Sequence, residues 1–174
     1  LVRFLDSIKE KASAVYLLGD MFDFWNEYRY VVPKGYSRFL GKLSELTDNG
    51  VEVHFFAGNH DLWTYGYLEE ECGVIVHKAP VTTEIYGKVF FLAHGDGLGD
   101  PDNKFKILRK LFHNHTCQRL LNFVHPRWGM ALGLNWAKHS RLKRADGKEV
   151  PFMGEDKEFL VRFARDYKRS HPNI

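Results

Sequence analysis

At 174 residues, 44% of them hydrophobic, the chain is long enough to bury a real core as one domain. The composition excludes disordered, collagen-like and disulfide-framework classes, since two cysteines, Cys72 and Cys117, make neither a framework nor a C-x-x-C pair and read as thiols of a reducing compartment. No run reaches the roughly 18 apolar residues of a spanning helix, and no charged-then-apolar leader opens these residues.

In chain order, residues 1–12 set Leu1, Phe4, Leu5 and Ile8 on one face and predict a helix. "AVYLL" (14–18) predicts a strand. Residues 33–47 open at Pro33 and repeat Tyr36, Phe39, Leu40, Leu43 and Leu46 until "DNG" stops them, predicting a second helix. "VEVHFF" (51–56) and "VIVH" (74–77) are strands by the same reasoning. "TTEIY" (82–86) turns through Gly87 into "KVFFL" (88–92), which suggests an antiparallel pairing at one edge. Helices alternating with strands indicate an α/β fold.

After Pro101 the character changes. Residues 103–125 read as one long amphipathic helix and 130–144 as a second; 146–154 form a loop, and 155–170 a last helix with Phe159, Leu160, Phe163 and Tyr167 inward. The expected organisation is a core over 1–103, a helical cap over 104–150 and a return helix over 151–174. Charge follows the same division. Residues 104–148 carry eleven Lys or Arg and one acid, a balance of +10, which leaves −7 for the remainder. A basic segment beside an acidic one suits an anionic partner on one side and cations on the other.

Three strands run straight into polar blocks: Gly19-Asp20-Met21-Phe22-Asp23, Gly58-Asn59-His60-Asp61 and His94-Gly95-Asp96. In an open α/β sheet ligands bind beyond the carboxyl ends of the strands, so these blocks meet at one edge. Each block alone is most simply a turn; all three in order make a metal site. Asp, Asn and His donors suit Mn²⁺, Mg²⁺, Fe or Zn²⁺.

"GD-x-x-D … GNHD … HGD" resembles the calcineurin-like metallophosphoesterase superfamily, whose full signature adds D-x-H before these blocks and GH-x-H after them. Within it, "GDMFDFW", "AHGDGLGDPD" and the helical insertion are most similar to the branch that works in lipid A biosynthesis. The resemblance implies a βαβ sandwich, incomplete here, with an inserted basic helical cap. It implies two divalent ions, Mn²⁺ first, with Asp20 as the bridging ligand and Asn59 and His94 on the second ion. It also implies hydrolysis of the diphosphate of UDP-2,3-diacylglucosamine to UMP and 2,3-diacylglucosamine 1-phosphate. His60 would donate to a phosphoryl or leaving oxygen, and Asp61 would orient the His60 ring or cap the following helix. Asp23 would brace its loop. Asp102 would contact the sugar or cap a helix, and Ser140 and Arg141 a polar head group.

Many members of that branch carry Arg at the position of His60. D-x-H and GH-x-H are absent between Leu1 and Ile174, so a fragment is expected, one that is inactive by itself. Basic helices bearing Trp128 and Trp136 suit an anionic membrane surface, which places the protein in the cytoplasm, peripheral on the inner membrane. A lid over acyl chains and a plain solvated helix pair are the other readings of the insertion. His113, His115, His125 and His139 read as surface or capping residues. A phosphoesterase acting on nucleotides or nucleic acid, and a non-catalytic module binding membrane or partner, are the alternative functions; nucleic acid is not the expected partner, and no oligomeric state is implied.

Overall fold

The computed structural model describes residues 1–99, 107, 110–145 and 154–174, without the side chains of 140, 141 and 143–145. Its main sheet has three parallel strands, β1 (Ala14–Leu17), β2 (Glu52–Phe56) and β3 (Ile75–His77), in that spatial order. Val15 lies opposite Val53, and Phe55 opposite Val76. Helices α2 (Ser37–Asp48) and α3 (Tyr67–Cys72) supply the crossovers, and α1 (Val2–Ile8) precedes β1.

Alternation along the strands decides which side is core. Val15, Leu17, Val53 and Phe55 are buried in one cluster with Leu40, Leu43 and Leu46 of α2, Leu5 of α1 and Leu68 of α3. Residues as deeply buried as Leu43, Leu46, Val53 and Phe55 each contribute about 1.5–3 kcal/mol. The intervening residues turn the other way and stack rings across the sheet: Tyr16 on His54 at 4.5 Å, His54 on His77 at 5.3 Å, and His77 on Phe56 at 4.6 Å. His54 Nδ1 and His77 Nε2 are 3.0 Å apart, so one ring donates to the other.

Several expected elements shift. Helix α1 buries Leu5 and packs Val2 and Ile8, but Leu1 and Phe4 are exposed. Helix α2 begins at Ser37 rather than Pro33, because Gly35 takes a positive φ of 102° and ends any regular run. "KVFFL" does not join the parallel sheet. It is β5 (Lys88–Leu92), paired antiparallel with β4 (Val81–Ile85) in a separate hairpin. Tyr86 and Gly87, both at positive φ, form the two-residue turn whose twist suits such a hairpin.

The expected single helix over 103–125 is interrupted. Residues 110–113 are helical, and then the Asn114 side chain accepts the N–H groups of Thr116 (2.9 Å) and Cys117 (3.1 Å), capping a new helix α4 (His115–Phe123). Helix α5 (Pro126–Ala145) starts four residues earlier than expected, with Pro126 at its first position, where no N–H is needed. Helix α6 (Phe159–Ser170) packs Phe163 and Tyr167 against Phe91 of β5, while Leu160 points outward.

Candidate metal and substrate site

β1 runs through Leu18 into Gly19 (φ 90°) and Asp20 (φ 54°). A left-handed aspartate is uncommon and is held here by its contacts: Asp20 Oδ1 accepts the His60 N–H at 3.0 Å. β2 runs into Gly58-Asn59, and β5 of the second sheet delivers His94. The His94 Nδ1–H donates to the Leu18 carbonyl at 2.8 Å. A carbonyl can only accept, so in the neutral ring Nε2 carries the lone pair. That nitrogen is 3.3 Å from Asn59 Oδ1 and 3.5 Å from Asp20 Oδ2. In that neutral form three electron-pair donors converge: His94 Nε2, Asn59 Oδ1 and Asp20 Oδ2. The set fits a divalent ion that accepts oxygen and imidazole.

Two glycines make this approach possible. A Cβ on Gly19 would lie 2.4 Å from His94 Nδ1, and one on Gly58 would lie 2.4 Å from Asp20 Oδ1. Among the described residues no three His, Cys, Asp or Glu side chains gather as a metal cluster; the amide oxygen of Asn59 is the third donor of this one.

Asp61 corrects the expectation made for it. It does not orient His60. Asp61 is fully buried, its Oδ1 accepts the Gly58 N–H at 2.6 Å, and its Oδ2 accepts the Met21 N–H at 2.7 Å. Nor does it cap a helix, since α3 begins only at Tyr67, behind Gly66. Asp61 ties the β1 loop to the β2 loop. Burial pushes its carboxyl up to about 6, against the pull of the Gly58 N–H and with a further push from Asp20. The orienting partner of His60 is the Asp23 carbonyl, which accepts from Nδ1 at 2.7 Å. The Asp23 main chain is also tied on its other side, where its N–H donates to the Tyr36 hydroxyl at 3.2 Å.

Beside this edge lies an apolar cavity of about 420 Å³. Phe24, Trp63, Phe112, Leu121, Leu132 and Trp136 wall it, and Asn59 and His60 form its polar end. The cap is fastened over it by the Trp63 indole N–H, which donates to the Phe112 carbonyl at 3.1 Å; within the cap the Gln118 amide donates to the same oxygen at 2.7 Å. A larger cavity of about 700 Å³ is lined by Tyr30, Tyr65, Arg119 and Phe123 among others but by none of the strand-end residues. Donor chemistry, not volume, locates the site.

Of the cap histidines, His115, His125 and His139 are exposed, and His125 Nδ1 accepts the Arg127 N–H at 3.2 Å in a capping contact. His113 differs from expectation: with Asp96, His77 and Lys78 it lines a small polar chamber next to His94. Asp102 lies outside the described residues; Ser140 and Arg141 are on α5, but their side chains lie outside what is described. Phe24 and Trp63 were missed from sequence because their signal, aromatics flanking two ligand blocks, looks like ordinary core.

Fold and donor set together fit a class: a hydrolase of mixed α/β architecture that works with divalent cations. The chain belongs to the calcineurin-like phosphoesterase family, whose model matches residues 1–167. It is 43% identical to the UDP-2,3-diacylglucosamine hydrolase of Porphyromonas gingivalis, over all of this chain and 70% of that protein. The enzymes of the same name from Edwardsiella ictaluri (30% identity, 94% of this chain, 62% of that protein) and Neisseria meningitidis (28%, 96% and 69%) are also similar.

Proposed function

We propose that the protein hydrolyses the diphosphate of UDP-2,3-diacylglucosamine, releasing UMP and 2,3-diacylglucosamine 1-phosphate. One observation carries this reading: Asn59 and His60 belong at once to the polar strand-end edge and to the wall of the apolar cavity. A substrate must then be anionic at one end and apolar at the other. A nucleotide or nucleic acid leaves the apolar walls unused, whereas acyl chains gain about 0.8 kcal/mol for each methylene they bury there. The names of the relatives agree.

Asp20 would be shared by two divalent ions, with Asn59 and His94 on the second, and Mn²⁺ is the first choice among Mn²⁺, Mg²⁺, Fe and Zn²⁺. Bound there, the ions supply an activated water at neutral pH and neutralise charge on the phosphoryl oxygens. His60, with Nδ1–H committed to Asp23, can take a proton at Nε2 and pass it to a leaving oxygen. The exposed Trp128, Leu120, Phe123 and Leu132 of α4 and α5, beside Arg119, Arg127 and Lys138, suit peripheral attachment to an anionic bilayer, at the cytoplasmic face of the inner membrane. Arg127 sits over the Trp128 ring at 5.7 Å, an arrangement that suits the headgroup level.

The test is Mn²⁺-dependent UMP release from the lipid by protein expressed from its complete reading frame, set against hydrolysis of a single-stranded oligonucleotide. Loss of release in Asp20→Ala and His94→Ala is expected. Full activity in either variant contradicts the ligand assignment, and faster cleavage of the oligonucleotide contradicts the substrate.

A further inference from the structure

Helix α5 meets the core through small residues. Gly129, Gly133 and Ala137 recur every fourth position, and Gly129 and Ala137 are buried. The aromatic residues of the loop after β1 lie on this stripe. The ring of Phe24 covers Gly133 so closely that an added Cβ would lie 2.4 Å from its Cγ and Cδ1. The Tyr28 hydroxyl covers Gly129 in the same way, 2.1 Å from where a Cβ would stand. Phe24 is held edge-on against Trp63, with ring centroids 5.2 Å apart. Phe24, Trp63, Gly129 and Gly133 all line the apolar cavity.

These contacts make the Phe24 ring the floor of the cavity and Gly133 the spacer that sets how deep the floor lies. Such a ring has little freedom: it is buried, backed by the helix, and flanked by an indole that itself holds the cap through the Phe112 carbonyl. From this packing we infer that Gly133 and Phe24 determine the length of acyl chain the protein accepts. The inference rests on the proposed acyl-chain reading of the cavity. A methyl group at position 133 drives the ring toward the cavity and shortens the chain that fits. A smaller side chain at position 24 lowers the floor and lengthens it. The two substitutions therefore shift the preference in opposite directions, a pattern that general destabilisation does not produce.

Cys117 supplies the readout. It lines the same cavity and is partly accessible, whereas the only other cysteine, Cys72, is buried in the core and its thiol is pushed up by that burial. Alkylation of Cys117 by a maleimide, followed by intact-mass spectrometry, reports occupancy without turnover. The probes are single-chain alkyl phosphates of increasing length, applied below their micellar concentrations. Wild type, Gly133→Ala and Phe24→Leu are compared, each shown to be folded by circular dichroism and a cooperative melt. Phe24→Ala is the second choice at that position.

The wild-type chain is expected to be protected best by one length. That optimum should move at least tenfold in relative protection toward shorter probes in Gly133→Ala and toward longer ones in Phe24→Leu. The same length order in all three folded proteins overturns the inference while leaving the acyl-chain reading standing. Absence of protection in wild type overturns that reading, and the inference with it.

Discussion

Gly58→Ala isolates the strand-end geometry in one methyl group. Its Cβ would lie 2.4 Å from Asp20 Oδ1 and 2.6 Å from the Asp20 main-chain nitrogen, where ordinary contact needs about 3.4 Å. The β1 and β2 loops must therefore separate by about 1 Å, because the Asp20 main-chain nitrogen cannot swing aside as its carboxylate could. Overpacking of this kind costs about 1–3 kcal/mol. For a chain of this size each kcal/mol moves the melting temperature by about 2–4 °C, so a fall of roughly 2–12 °C is expected. The same displacement moves Asp20 away from Asn59 and His94. A misplacement of about 1 Å in a reacting constellation costs on the order of 100-fold in rate. Scanning calorimetry with and without Mn²⁺ reads the stability loss and the disturbed metal site, and UMP release reads the rate. Gly41→Ala is the matched control, since Gly41 is exposed inside α2 with nothing within 4 Å of its Cβ position. It should stabilise by about 1 kcal/mol through helix propensity. A Gly58→Ala protein that melts with wild type and keeps the full Mn²⁺-induced shift would refute the reasoning.

Asp61→Asn should weaken Mn²⁺ binding while changing the melting temperature little. The amide satisfies only one of the two main-chain N–H groups, at a cost of about 1–3 kcal/mol, but it relieves a buried charge worth about 3 kcal/mol, from a carboxyl moved from 3.8 to about 6. Calorimetric titration with Mn²⁺ beside a thermal melt checks it, and unchanged affinity counts against the loop-tying role. His77 gives a pH prediction. Burial and the neighbouring His54 lower its pKa, so the folded protein favours the neutral ring. Its contribution is present above the unfolded value of about 6.5 and lost as pH falls from there through the lower folded value. The urea midpoint should drop as pH falls below about 6.5, and drop less in His77→Gln; equal pH dependence in the two proteins would contradict this.

What could be read from the sequence was local. Gly19-Asp20, Gly58-Asn59 and His94 each follow a strand within two or three residues, and the structure brings their donors together. The strands themselves were legible from β-branched and aromatic runs. The antiparallel pairing of 82–86 with 88–92 was legible from the turn through Gly87, but its standing as a separate hairpin was not, because "KVFFL" has the same pattern at the edge of a larger sheet. The break at Asn114 was hidden because the apolar period continues through it, while the side chain caps a new helix. Asp61 was misread because carboxylates beside a histidine suggest an orienting pair, whereas its partners are main-chain N–H groups from two loops. The cavity needs Phe24 and Trp63 to meet Gly133 more than sixty residues away, and no local spacing encodes that. Asp102, Ser140 and Arg141 stay proposals about the substrate's polar end.

The metal site itself is best tested by Mn²⁺ binding followed by electron paramagnetic resonance, in wild type, Asn59→Ala, His94→Ala and Gly41→Ala. Wild type and Gly41→Ala should bind alike, and the first two variants should each lose at least tenfold in affinity. If His94→Ala binds Mn²⁺ as wild type does, the convergence of Asp20, Asn59 and His94 is not a metal site.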